Sequence, residues 1–113
     1  MKNRITRVNE LLKRELGEIL LRELDAPEGA FATITRVEAF PNLQGARVYI
    51  SVMPEDKTKA VLAILQKNVY DIQQILNRRL KMRPVPKIQW VPETATLGAQ
   101  RIEELLEEIQ KKE

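Results

Sequence analysis

The chain has 113 residues, 43% of them apolar and 31% charged, with a formal net charge of +3. That is about one domain's length, and Leu, Ile and Val recur too evenly for intrinsic disorder. It has no His and no Cys, and Ser51 is its only serine. Those absences exclude disulfides, Ser-His-Asp and Cys-His catalysis, and any His/Cys metal site.

The four glycines, at 17, 29, 45 and 98, are scattered, so no Gly-rich phosphate loop exists. The longest apolar run, residues 60–65, is far short of a membrane span of about 20 residues. The opening Met1-Lys2-Asn3-Arg4 runs straight into an amphipathic, acid-containing pattern, unlike a signal or transit peptide. The expectation is a soluble, cytoplasmic monomer forming a single domain over residues 1–113. It should have no enzyme activity, cofactor, metal or small-molecule ligand.

Residues 4–24 read as a helix, because Ile5, Val8, Leu12, Leu16, Ile19 and Leu20 recur at helical spacing. Glu10 with Arg14 and Glu18 with Arg22 add pairs four residues apart. Asp25-Ala26-Pro27-Glu28-Gly29 carries two breakers and ends the helix. Residues 31–39 are rich in Thr, Ile, Val and Phe and read as a strand. A second strand, 46–53, alternates Ala46, Val48, Ile50 and Val52 against Arg47, Tyr49, Ser51 and Met53. Pro41 to Gly45 makes a hairpin connection between them.

Met53-Pro54-Glu55-Asp56 stops that strand, with Asp56 placed to cap a long helix. Val61, Leu65, Val69, Ile72, Leu76 and Leu80 form its apolar stripe, and a bend is expected near Asn68. Arg83-Pro84-Val85-Pro86 forces extended chain, residues 87–91 read as a third strand ended by Pro92, and Trp90 reads as core. A last helix over 98–110 places Ile102, Leu105, Leu106 and Ile109 at core spacing, with a Glu-rich face in solvent. Three strands cannot cover these helices unless the helices share one face of the sheet. The fold class is therefore α+β, a two-layer sandwich.

Charge is unevenly spread. From Gln66 to Trp90 six basic residues face Asp71 alone, whereas Glu93 to Glu113 holds three basic and six acidic residues. Lys67, Gln74, Arg78 and Lys81 share one helical flank, and Arg78, Arg79, Lys81 and Arg83 fall within six residues. Such a cluster suits phosphates, while a solvated helix C-terminus explains it equally well. Aromatics are scarce, which argues for contacts to backbone and shape rather than to bases. Arg36 and Arg47, on the paired strands, are secondary candidates should the open sheet face meet RNA. A protein-interaction domain using the acidic last helix is the alternative.

The sequence resembles the ribosome-binding factor A family nearly end to end. The likeness runs from Arg7-Val8-Asn9-Glu10-Leu11-Leu12 and Thr33-Ile34-Thr35-Arg36-Val37-Glu38 through Asn42-Leu43-Gln44-Gly45-Ala46-Arg47-Val48-Tyr49-Ile50. It continues with Leu80-Lys81-Met82-Arg83-Pro84-Val85-Pro86-Lys87-Ile88 and Gly98-Ala99-Gln100-Arg101-Ile102. The resemblance implies a KH-like fold of order α-β-β-α-α-β and binding to the free small (30S) ribosomal subunit and its ribosomal RNA. It further implies a part in late maturation and 5′-end processing of that RNA, growth in the cold, and no catalytic residues. The family's interhelical kink carries Ala-x-Gly and then a basic residue; Asn68, Tyr70 and Gln73 stand at those positions here. The expected RNA contacts are thus Lys67, Asn68, Gln73, Gln74, Arg78, Arg79, Lys81, Arg83 and Lys87, weighted towards Arg78 to Arg83.

Overall fold

Asn3 opens the first helix by accepting the Thr6 amide on its Oδ1 at 2.8 Å, satisfying one of the donors a helix start leaves free. In this computed structural model, which describes residues 3–93, α1 spans Arg4–Glu23. It buries Val8, Leu12, Leu16, Ile19 and Leu20 and ends where Leu24 turns extended. The expected helix over 98–110 lies outside the described residues.

β1 (Phe31–Ala39) and β2 (Gly45–Met53) pair antiparallel, with Phe31 opposite Met53 and Ala39 opposite Ala46. The register shifts between Ile34 and Arg36, so Thr35 sits in a bulge that keeps both Ile34 and Val37 buried. In the connecting loop the Asn42 side chain accepts the Gln44 amide, and Leu43 takes φ 58°. β3 (Lys87–Pro92) lies parallel to β2, giving the order β1-β2-β3. A parallel pair needs a long crossover, and two helices supply it: α2 (Thr58–Lys67) and α3 (Val69–Arg79).

The alternation in β2 sorts its faces. Ala46, Val48, Ile50 and Val52 join one core with Leu12, Leu16, Val61, Leu62, Leu65, Ile72, Leu76, Ile88 and Trp90. All three helices contribute to that core, so they cover one face of the sheet. The result is the α+β, KH-like order α-β-β-α-α-β.

Three local expectations are corrected. Asp56 caps nothing: Glu55–Lys57 forms a short 3-10 turn, and α2 starts at Thr58, whose hydroxyl donates to the Glu55 carbonyl at 2.7 Å. β3 runs one residue past its expected last position and closes on Pro92 itself. A proline is tolerated there because β3 is an edge strand, and its ring is fully buried. Glu18, expected to pair with Arg22, instead meets Arg79 of α3.

Candidate nucleic-acid interface

The helical crossover breaks at Asn68, which sits at φ −100°, ψ 8° between α2 and α3. Its side-chain Nδ2 donates to the Ile64 carbonyl at 2.9 Å, beside its own backbone amide, which reaches the same oxygen at 3.1 Å. A short amide side chain competing for a backbone carbonyl loosens the helix at that turn. The Asn68 carbonyl still accepts from the Ile72 amide at 3.0 Å, so the break is confined to one residue. The bend expected near Asn68 is present.

Past the break, helical geometry sorts the side chains of α3 by about 100° per residue. Ile72 and Leu76 enter the core. Tyr70 and Arg78 are exposed on the opposite side, with Gln74 half-buried between them. Arg79, one step round from Arg78, reaches back to α1. Its Nη2 lies 2.8 Å from Glu15 Oε2 and contacts Glu18 Oε2 as well. The Glu15 oxygen has no aligned hydrogen bond, so this contact is an ion pair without ideal geometry. Arg79 was an expected RNA contact, and the structure spends its charge on the glutamates of α1.

Gln73 is likewise committed. Its Nε2 donates to Asn77 Oδ1 at 3.0 Å and to the Pro86 carbonyl at 3.1 Å, and its Oε1 accepts the Ile88 amide at 3.0 Å. It latches α3 to the entry of β3, so its side-chain amide is already hydrogen-bonded within the fold.

Between α3 and β3 the chain alternates anchors with exposed cations. Leu80 and Pro86 are buried, and Met82 and Val85 pack against the core. Lys81, Arg83 and Lys87 are held outward between them. Arg83 Nη1 donates to the carbonyls of Leu80 (2.8 Å) and Met82 (2.6 Å), which stiffens the segment while leaving the residue exposed. Lys67, Arg78, Lys81 and Lys87 form no ion pair with a carboxylate among the described residues. Five exposed cations therefore follow the end of α2, the outer side of α3 and the linker into β3. Polyanion binding is what such a line of charge does best.

Arg36 and Arg47 are not part of this line. They lie on β1 and β2, on the sheet face the helices leave open. Arg36 stacks 3.8 Å from the Tyr49 ring centre and pairs with Glu93 (3.3 Å) and Glu38 (3.5 Å). Arg47 lies 5.3 Å from the Phe40 ring centre. Burial, with Glu38 adding to it, pushes the Tyr49 phenol above its ordinary value.

Sequence reasoning missed the latch role of Gln73 and the inward turn of Arg79. The signal for Arg79 was available: it lies three residues past Leu76 and seven past Ile72, on the flank of the core stripe. Among the described residues no helix is long and apolar enough to cross a membrane, and no cluster of acidic residues is placed to hold a metal.

A family model described as ribosome-binding factor A matches residues 4–106. The crystal structure of ribosome-binding factor A from Thermus thermophilus is similar at TM-score 0.70 and 23% identity, covering 81% of this chain and 98% of that one. A Thermus thermophilus homology model, fitted into a cryo-electron-microscopy map of a complex of that factor with the 30S subunit, matches at TM-score 0.60 and 26% identity. That match covers 79% of this chain and 94% of the other. With the family match running through every element and the strand and helix order in place, the chain belongs to the ribosome-binding factor A family.

Proposed function

We propose that this protein binds the small ribosomal subunit through its RNA and assists late maturation of that subunit by binding, not by catalysis. One observation carries the reading: Lys67, Arg78, Lys81, Arg83 and Lys87 stand exposed along one helical turn-and-linker track, in a chain of a family named for ribosome binding. The likeness to a factor fitted into a 30S complex supports the choice of partner. Residues 1–113 act as one RNA-binding domain in the cytoplasm, and the maturation steps it favours include 5′-end processing, with the need greatest in the cold. Asn68 and Gln74 border the track and contribute polar contacts, whereas Gln73 and Arg79 serve the fold. Arg36 and Arg47 are a separate, open-face contact, secondary to the track.

The test is co-sedimentation with separated ribosomal subunits. Wild-type protein should travel with the free small subunit and not with whole ribosomes. The double variant Arg78→Glu/Lys81→Glu should stay in the supernatant while keeping its far-ultraviolet circular dichroism, because neither side chain has an internal partner among the described residues. A folded double variant that still sediments with the subunit removes the proposed track.

A further inference from the structure

We propose that Tyr70 is a stacking site for an unstacked nucleobase, so that the strand held by the cationic track is single-stranded RNA at the α2–α3 break. The proposal rests on the RNA-binding reading above and names the class of RNA that reading leaves open.

Of the five aromatic residues, most are already occupied. Trp90 is in the core. Tyr49 carries the Arg36 guanidinium on its ring, and Phe40 carries that of Arg47. Phe31 is exposed but lies opposite Met53 at the end of the open sheet face. Tyr70 is 71% exposed and takes part in no hydrogen bond or cation–π contact among the described residues. Its ring is a bare π-surface on the same side of the molecule as the unpaired cations.

The backbone beneath it is fixed. Val69 packs against the core on one side of Tyr70, and Ile72 is buried on the other. A ring carried on that turn loses little freedom when a base settles on it. Tyr70, Gln74 and Arg78 follow one another at steps of four residues, about 6 Å apart along the helix axis. Arg78 is thus about 12 Å from Tyr70 along that axis, and Lys67 lies just across the break on the other side. A base on the ring would place its flanking phosphates towards Lys67 and Arg78, with the Gln74 amide between them. Stacking of this kind tolerates any base, because every base has a π-face. A duplex keeps those faces covered by its own neighbours, so it gains nothing from Tyr70.

The experiment is fluorescence anisotropy with a labelled RNA of about ten nucleotides, presented single-stranded and as a duplex of the same sequence. Tyr70→Ala should weaken single-strand binding about tenfold and leave duplex binding unchanged. Tyr70→Phe should restore the single-strand affinity, and Tyr70→Trp should bind with quenching of the new indole. The thermal midpoint of Tyr70→Ala should lie close to wild type, since the side chain is 71% exposed and outside the buried core. Unchanged single-strand affinity in Tyr70→Ala, or equal losses on both RNAs, overturns the stacking site. If Arg78→Glu/Lys81→Glu loses binding while Tyr70→Ala does not, the track stands and only Tyr70 falls. If neither RNA binds wild-type protein at low salt, both proposals fall together.

Discussion

Two adjacent arginines show how much one helical step decides. Arg78 and Arg79 are identical in chemistry and both close α3, yet 100° of rotation sends one to solvent and the other to Glu15 and Glu18 of α1. Glu15 is the more sheltered partner, at 16% side-chain exposure against 51% for Glu18. Removing the guanidinium leaves the sheltered Glu15 carboxylate with only the looser Arg14 contact at 3.6 Å, at a cost of about 1 kcal/mol after allowing for solvent screening. Arg79→Ala should therefore lower stability by that amount in a urea titration, with Arg78→Ala staying within about 0.5 kcal/mol of wild type. Equal effects at the two positions would contradict the assignment. Trp90 is a second case decided at this scale: it is buried as its strand pattern implies, but its indole Nε1 is buried with no hydrogen-bond partner. Among the described residues no acceptor reaches it.

At the scale of elements, hydrophobic periodicity made most of the fold legible. The period of 3.6 in α1 and of two in β2 selected buried faces that the structure reproduces, from Leu12 and Leu16 to Val48 and Ile50. Asn68 was legible for a different reason: its side chain competes locally for a carbonyl, so the break needs no distant partner. Asp56 failed because a 3-10 turn consumed the residues that would have formed the first helical turn. The latch of Gln73 was not legible because its partners, the Pro86 carbonyl and the Ile88 amide, are remote in sequence and belong to another element. That latch makes a prediction of its own. Gln73→Ala leaves both backbone groups of the β3 entry without the side chain, and should destabilise by about 1–2 kcal/mol. Amide hydrogen exchange at Ile88 should accelerate more than at Val48 in the central strand. Unaltered protection at Ile88 would show that the latch contributes nothing.

For the molecule as a whole, the question is where the cations end up. A net charge of +3 says little, because Arg36 and Arg79 are neutralised within the fold. Other exposed cations are spread over α1, β2 and the start of α2, and the densest group is the run from Lys67 to Lys87 on the helical side, interrupted by Asp71. Each phosphate contact made by this run should release counterions, giving a slope of log affinity on log salt near −0.7 per contact for single-stranded RNA. Arg78→Ala should make that slope shallower by about one contact, whereas Arg47→Ala, on the far sheet face, should change it much less. The two slopes, measured on one RNA across a salt series, check the placement. Equal changes would mean that RNA engages both faces.

Patterning along the chain determined, without further help, that an opening helix, a bent central helical stretch and three strands would share one apolar core and that cations would crowd the stretch from Gln66 to Trp90. Periodicity carries that information because burial acts on every third, fourth or second residue regardless of what lies elsewhere. Only tertiary structure decided which of those cations are available. That Arg79 meets Glu15 and Gln73 meets Pro86 depends on partners brought within a few ångströms by chain closure, and sequence spacing does not encode those distances.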